Sequence, residues 1–134
     1  MPASHDTLAE ALAAEAHVRL GVLFGSEARG EAGGASDLDV AVAGPDTSEL
    51  PSLALRLQRA TGRPVDLVAL TDAPPLLRFE IARDGRVLVE REPYLWSDFK
   101  ARAMVDWWDW APIARRFHAA AATRLREQVT RGPS

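Results

Sequence analysis

The stretch LFGSEARGEAGGASDLDVAV, residues 23–42, decides how the rest of the chain is interpreted. A short apolar run ends in Gly-Ser, a segment rich in Gly and Ala follows, and Asp-Leu-Asp opens a second apolar run. Side chains two residues apart in a strand share a face and lie about 6.5–7 Å apart. We therefore expect Asp37 and Asp39 to project together, whereas Leu38 and Val40 point into the core.

The two carboxylates predict a cation site. Like charges held this close repel each other and raise each other's pKa unless a cation lies between them. Oxygen-only ligands favour Mg²⁺ or Mn²⁺ over zinc. Asp66 repeats the pattern inside the apolar run PVDLVAL. If its strand neighbours that of Asp39, the three carboxylates form a cluster suited to two metal ions and to phosphoryl or nucleotidyl transfer.

The Gly-Ser pair predicts a phosphate contact beside this cluster. Gly25 lets the backbone approach phosphate oxygens without a Cβ in the way. Ser26 offers a hydroxyl and an N–H, and the helical turn after it would direct its positive end at an anion. Arg29 is a further candidate for phosphate binding, and a solvent-facing role is the alternative for it.

Plainer interpretations of the same residues stay open. Asp37 and Asp39 could be turn or cap acids at a solvated strand end, and Gly25-Ser26 an ordinary strand-ending turn. Asp66 could pair with an arginine such as Arg63 instead of a metal. These alternatives make no use of the spacing that links the three acids to the Gly-Ser pair.

The remaining sequence alternates helical and strand patterns. Apolar periodicity, prolines and glycines predict helices over 4–17, 45–62, 73–85 and from 93 nearly to the end, with strands over 18–26, 37–43, 63–70 and 86–90. Gly62 and Gly85 are the expected helix stops, and Pro112 is an expected break. This order predicts an α/β (α+β) fold, a small mixed sheet flanked by helices with a helical C-terminal segment.

Composition restricts the class of protein. A chain of 134 residues with 47% hydrophobic and 26% charged residues suits one domain, residues 1–134, with a core at about 18–90 and a helical segment at about 93–130. The absence of cysteine excludes disulfides and thiolate metal sites. A net charge of −3 argues against direct nucleic-acid binding. Without an apolar run long enough for a membrane span, we expect a soluble cytoplasmic protein.

The spacing also carries a family resemblance. Gly25-Ser26, ten intervening residues and Asp37-Leu38-Asp39 resemble the signature of the DNA polymerase β-like nucleotidyltransferases, with Asp66 as the third acid. The small size and the wording around the signature resemble the minimal nucleotidyltransferase (MNT) branch. The resemblance implies that Asp37, Asp39 and Asp66 bind two Mg²⁺ ions, that Asp66 helps to deprotonate the attacking hydroxyl, and that Gly25-Ser26 holds the β- and γ-phosphates of ATP.

The MNT resemblance implies a biological role as well. Members of that branch commonly pair with a HEPN ribonuclease toxin and act as antitoxins by transferring AMP from ATP to a toxin tyrosine (AMPylation). Two alternatives remain: a small-molecule nucleotidyltransferase of the aminoglycoside-modifying type, and a non-catalytic antitoxin that acts by binding alone.

The C-terminal helix has two apolar faces in its sequence. One stripe, predicted to pack on the sheet, comprises Trp96, Phe99, Ala103, Trp107, Trp110, Ala114 and Phe117. A second face contains Met104 and Trp108 together with Ala101 and Val105. That face predicts a partner or a homo-oligomer contact. The arginine-rich tail is expected to be a solvated helix face, with an acidic partner or RNA as the weaker alternative.

Overall fold

In residues 3–31 and 37–131, which the computed structural model describes, four strands alternate with five α-helices. Side chains are described for residues 5–31, 37–113 and 115–116. The strands are β1 (Leu20–Phe24), β2 (Leu38–Ala43), β3 (Val65–Ala69) and β4 (Arg86–Glu90). The helices are α1 (Ala3–Ala13), α2 (Gly25–Ala28), α3 (Leu50–Thr61), α4 (Pro75–Asp84) and α5 (Leu95–Arg131).

The strands form one mixed sheet in the order β3-β2-β1-β4. Strand β1 is antiparallel to both β2 and β4, whereas β2 and β3 run parallel and are connected through α3. Parallel strands need a crossover connection, and here α3 provides it. The predicted fold class is confirmed, and β3 is the neighbour of β2, as the three-carboxylate hypothesis requires.

Each face of the sheet has its own apolar core. One core contains Leu8 and Leu12 of α1, Leu53 and Leu57 of α3, and the strand residues Leu23, Leu38, Val40, Val42 and Val65. The other joins Leu20, Val22, Phe24 and Ala41 to Leu70, Ile81, Ala82, Phe99 and Ala103. Because strand side chains alternate between faces, Leu38 and Val40 lie in the first core as predicted, and Asp39 shares the face of Ala41.

Glycines end two helices where the sequence predicted it. Gly62 has φ +70°, and its N–H donates to the Gln58 carbonyl oxygen at 2.8 Å, which ends α3 in a left-handed cap. Gly85 follows α4 and donates to the Ile81 carbonyl oxygen at 2.7 Å. Local hydrogen bonding therefore sets both boundaries.

The expected break at Pro112 was wrong. Helix α5 is continuous from Leu95 to Arg131 and passes through this proline. Proline removes one N–H of the ladder, yet the remaining turns on both sides keep their hydrogen bonds. None of the described helices has an apolar stretch long enough to cross a bilayer.

The two faces of α5 differ from the prediction at two residues, Met104 and Trp110; Trp110, predicted in the stripe that packs on the sheet, is 37% exposed. Phe99 and Ala103 are buried, and Trp107 stacks on Phe79 of α4 with ring centroids 5.1 Å apart. Met104, expected on the second face, is partly buried against the same core, because α4 and the sheet cover more of the helix than one stripe. Trp108 is 76% exposed. The predicted stripe residues Ala114 and Phe117, and the arginines beyond them, lie outside the described side chains.

Candidate active site

Asp39 and Asp66 are register partners on adjacent parallel strands. Partners in a ladder place their side chains on the same face of the sheet, with the strands about 4.8 Å apart. Asp37 directly precedes β2 and lies two residues from Asp39. The fold therefore brings the three sequence-predicted acids to the edge of the sheet where β2 and β3 begin and β1 ends.

The electrostatics of Asp39 show that the three acids interact. Asp39 is half-buried, and burial raises its pKa above the ordinary aspartate value, with further increases from Asp66 and then Asp37. Arg29 acts in the opposite direction and lowers it. Asp37 and Asp66 are exposed. The carboxylate of Asp39 is therefore held where its negative charge is costly, and a bound cation would remove that cost.

Gly25 lies against the Asp39 carboxylate. Its φ is +73°, a region that side chains with a Cβ rarely adopt. A Cβ built on Gly25 would overlap one carboxylate oxygen of Asp39. The preceding residue, Phe24, is the register partner of Asp39 across β1 and β2. The sequence predicted Gly25 for its approach to phosphate; the structure adds that the carboxylate itself requires a glycine there.

Ser26 and Arg29 follow on the short helix α2. The helix begins at Gly25, inside the strand predicted over 18–26, and is the helical turn expected beside the Gly-Ser pair; Ser26 is half-buried in it. Arg29 ends the helix, and its N–H donates to the Gly25 carbonyl oxygen at 3.2 Å. All of the predicted phosphate-binding residues therefore lie beside the three acids.

Arg29 is partly exposed at the rim of this site. Its guanidinium pairs with Glu31 at 3.0 Å and with Asp84 of α4 at 3.6 Å. It is nevertheless close enough to lower the pKa of Asp39. Glu31 is exposed and Asp84 is half-buried but 3.6 Å away, so Arg29 can exchange them for a phosphate while losing only weak ion pairs.

A group that the sequence did not predict holds α2 in place. Glu27 accepts two hydrogen bonds from the Arg63 guanidinium, at 2.8 and 3.1 Å, and its Oε1 lies 3.1 Å from His5 Nε2. These contacts, first of all those from Arg63, lower the pKa of Glu27 to about 2. Arg63, considered above as a partner for Asp66, thus binds Glu27. The network joins α2 to α1 and to the residues just before β3.

No local pattern in the sequence predicts this network. Glu27 and Arg63 are separated by 36 residues, and Glu27 and His5 by 22. Only the packing of α1 and β3 around α2 brings them together. Glu27 is a positioning residue, since it acts on the site through the helix that carries Ser26.

The aspartates fit a hard divalent cation by their chemistry. Each donor is a carboxylate oxygen, the ligand type that Mg²⁺ and Mn²⁺ prefer. Within the described ranges, no three His, Cys, Asp or Glu side chains are already gathered as a ready-made metal site. Burial, and then repulsion from Asp66 and Asp37, raises the pKa of Asp39, and that repulsion opposes gathering of the three carboxylates when no cation is bound.

Two cavities lie away from these acids. One, of about 430 Å³, is lined by His17, Pro45 and Arg56 among others, and another, of about 360 Å³, by Ala43 and Arg78 among others. Ala43 ends β2, whereas Asp39 lies near its start, about 13 Å away along the strand. The acids and the Gly-Ser turn thus lie outside both cavities, at the end of the sheet where β2 begins.

Comparison with known proteins agrees with this geometry. The family model described as "Polymerase beta, Nucleotidyltransferase" matches residues 6–94, which include the three acids and the predicted phosphate-binding residues Gly25, Ser26 and Arg29. The chain belongs to the polymerase beta nucleotidyltransferase family. The family assignment confirms the predicted enzyme class, a nucleotidyltransferase, and the predicted polymerase β-like fold. No curated protein matches the sequence closely enough to count as a relative.

Solved nucleotidyltransferase and toxin–antitoxin structures share the fold. A chain of a toxin–antitoxin complex with AMP-PNP is 22% identical with a TM-score of 0.65, and the match covers 92% of this chain and 96% of that one. A chain of the complex between a tri-AMPylated Shewanella oneidensis HEPN toxin and its MNT antitoxin is 20% identical with a TM-score of 0.61, covering 95% and 98%. A protein described as a minimal nucleotidyltransferase is 33% identical with a TM-score of 0.51, covering 63% and 88%.

Proposed function

We propose that this nucleotidyltransferase moves AMP from ATP to a tyrosine hydroxyl of a partner HEPN toxin and thereby acts as an antitoxin. The observation that carries the chemistry is the register pairing of Asp39 with Asp66, with Gly25 fitted against Asp39. The role as antitoxin is supported by fold neighbours that are toxin–antitoxin complexes, one with AMP-PNP and one with a tri-AMPylated toxin.

Each site residue has a role in this reaction. Asp37 and Asp39 would hold Mg²⁺, and Asp66 would complete the site for a second ion. Bound Mg²⁺, or Mn²⁺ in its place, supplies charge neutralisation at the α-phosphate and at the leaving oxygen. Gly25 and Ser26 contact the β- and γ-phosphates through backbone and hydroxyl groups.

The transfer step balances with these groups. The acceptor oxygen forms a bond to the α-phosphorus of ATP, and the bond from that phosphorus to the β-phosphate oxygen breaks. The electron pair leaves with pyrophosphate. Asp66, which is exposed at the sheet edge, takes the proton of the attacking hydroxyl. Arg29 stabilises the phosphate charge from the rim.

A protein acceptor suits a site that lies outside both of these cavities. The acids lie at a sheet edge, and neither cavity among the described residues encloses them. A small-molecule substrate is usually held in a concave pocket that covers most of its surface. A side chain on a partner protein brings the surface of that protein, which can cover the site.

Residues 1–134 act as one domain that works in the cytoplasm, where ATP is present.

Binding of ATP is the first test. Calorimetry with Mg²⁺ and ATP should give a heat of binding for the wild type that an Asp37→Asn/Asp39→Asn variant loses. The matched control is Asp46→Asn, which removes one exposed carboxylate beyond the end of β2 that is farther from Asp39. Unchanged binding by the double variant would contradict the assignment of the site.

Transfer is the second test. The chain, Mg²⁺ and ATP labelled at the α-phosphate are incubated with a HEPN toxin encoded beside this gene, and label on the toxin is expected only with intact aspartates. Label on an aminoglycoside alone would establish the small-molecule alternative. If the Asp37→Asn/Asp39→Asn variant transfers no label and still neutralises the toxin, the chain acts by binding only.

A further inference from the structure

Helix α5 carries a regular exposed row on the side away from the sheet. Six residues recur at alternating spacings of three and four, and all six are exposed. They are Asp98, Ala101, Val105, Trp108, Pro112 and Arg115, called here the α5 seam. Phe99, Ala103 and Ala111 on the opposite side are buried. The seam thus lies away from the buried stripe, although Asp98 also lines the cavity of about 360 Å³ together with Arg78 and Arg102.

The spacing of the seam is that of a coiled-coil interface. Alternation of three and four residues is the a/d pattern of a heptad, which keeps one narrow stripe of a helix facing a partner helix. The centre of the stripe is apolar, with Val105 56% exposed and Trp108 76% exposed. Side chains of this size rarely stand exposed in such a row without a covering surface.

The charges at the two ends of the seam are opposite. Asp98 lies at the N-terminal end and Arg115 at the C-terminal end, about 26 Å apart for an ideal helix. Among the residues with described side chains, neither Asp98 nor Arg115 has an ion-pair partner. A partner helix therefore needs a positive end opposite Asp98 and a negative end opposite Arg115.

We propose that a second copy of this chain docks on the α5 seam in antiparallel orientation. Reversing the seam on itself pairs its outermost members, Asp98 with Arg115. The next pair is Ala101 with Pro112, and the central pair is Val105 with Trp108. Each a position then faces a d position, and the two-fold axis passes between Val105 and Trp108. Such an interface is isologous, so every contact occurs twice.

The charges select the antiparallel copy over a parallel one. In a parallel pair Asp98 would face Asp98 and Arg115 would face Arg115, with repulsion at both ends. The antiparallel pair replaces both repulsions with attractions. None of the residues of the acid cluster belongs to the seam, so a test of this dimer is independent of a test of the proposed transferase reaction.

The oligomeric state of the full chain tests the proposal through charge reversal. In sedimentation velocity across a concentration series, the wild type should form a reversible dimer. Asp98→Arg and Arg115→Glu should each weaken the dimer by about tenfold or more, because each puts two like-charge contacts into it. The double variant restores both attractions and should return to within about threefold of the wild type.

Matched controls separate this interface from general charge effects. Arg59→Glu makes the same charge change as Arg115→Glu at an exposed position of α3 and should leave the dimer unchanged. Circular dichroism checks that every variant keeps its helix content. A wild type that stays monomeric throughout, or a double variant that stays as weak as the single ones, overturns the proposal, and the first result would leave the seam for a different partner protein.

Cysteine pairing tests the orientation. The chain has no cysteine of its own, so introduced thiols report without background. Mild oxidation should link Ala101→Cys chains to Pro112→Cys chains when the two are mixed, because these positions face each other in the antiparallel dimer. Either variant alone should not cross-link. Efficient linking of Ala101→Cys chains to one another would show a parallel pair and contradict the proposal.

Discussion

Gly25 lies so close to the Asp39 carboxylate that a Cβ atom at position 25 would overlap it. The space that a side chain at Gly25 would need is already filled by the carboxylate of Asp39. Gly25 also has φ +73°, at the point where β1 passes into α2. Backbone conformation and side-chain space therefore require glycine for independent reasons, and both concern the position of Asp39.

Gly25→Ala is expected to lose activity much more than stability. The left-handed backbone alone costs about 1–2 kcal/mol with a Cβ present. The overlap additionally moves the Asp39 carboxylate, and misplacement by about 1 Å can reduce turnover by about 100-fold. Chemical denaturation and AMP transfer, measured on the same preparations, give the two effects separately.

Gly62→Ala provides the control for backbone strain. Gly62 has φ +70°, yet a Cβ there meets nothing within 4 Å. It should lose a similar free energy of unfolding and keep its transfer rate. If the two alanine variants behave alike in both assays, contact between Gly25 and Asp39 has no catalytic consequence.

Replacing Asp39 by asparagine is expected to stabilise the chain at neutral pH. The pKa of Asp39 is raised in the folded chain, chiefly by burial and then by Asp66 and Asp37. A raised pKa means that this group favours folding below its unfolded pKa and that the benefit is lost as the pH rises through its folded pKa. The Asp39→Asn variant has no ionisable group at this position, so it does not lose this stability as the pH rises.

The pH dependence identifies that cause. The stability gain of Asp39→Asn over the wild type should be largest near pH 7 and should vanish as the pH falls below the aspartate range, in thermal or urea unfolding without divalent cations. Added Mg²⁺ should stabilise the wild type and not the variant. A gain that persists unchanged at low pH would assign it to packing instead of charge.

Glu27→Gln is expected to destabilise the chain with the opposite pH dependence. Hydrogen bonds from Arg63 and His5 lower the pKa of Glu27 from 4.5 to about 2, so its contribution is full above pH 4.5 and is lost as the pH falls towards 2. The variant should lose about 2 kcal/mol at pH 7, the usual scale for hydrogen bonds to a charged group. Urea unfolding at pH 7 and pH 2.5 measures the difference.

The exposed ion pair of Glu31 with Arg29 supplies the comparison. Glu31→Gln should change the free energy of unfolding by less than about 0.5 kcal/mol, since surface pairs contribute little. Glu27→Gln should also reduce AMP transfer, because α2 carries Ser26. Full activity in a clearly destabilised Glu27→Gln variant would limit the network to a structural role.

Local patterns were sufficient to predict the four strands and the order of the larger helices. Alternation of apolar side chains predicted β2 and the inward direction of Leu38, and Gly62 stops α3 because its backbone can adopt the left-handed region. The cluster of acids was predicted from repeated placement of aspartate in apolar runs. Its assembly depended on β3 lying next to β2, which is a property of strand order and had to be assumed.

Contacts between distant segments could not be predicted in this way. The pairing of Glu27 with Arg63 depends on how α2 packs, and nothing near either residue indicates it. The burial of Met104 depends on the width of the surface that α4 and the sheet present to α5. Pro112 was misjudged because a local rule on proline was applied to a helix with many turns on both sides.

Arg29→Ala is expected to raise the KM for ATP by about tenfold with little change in kcat. The guanidinium lies at the rim of the acid cluster, where it lowers the pKa of Asp39, and of its two carboxylate partners Glu31 is exposed and Asp84 is 3.6 Å away. Arg29 therefore loses only weak ion pairs when it binds the triphosphate, and a charged hydrogen bond to phosphate is worth about 1.5–3 kcal/mol. Initial rates at varied ATP separate KM from kcat.

Arg83→Ala is the matched control for that measurement. Arg83 pairs with the same Asp84, at 2.8 Å, and is exposed in the last turn of α4. Removing it deletes one arginine partner of that carboxylate and leaves Arg29 in place, so the KM for ATP should stay at the wild-type value. If Arg29→Ala and Arg83→Ala give the same KM, Arg29 is a solvent-facing arginine, because loss of charge at the rim then has no effect on the nucleotide.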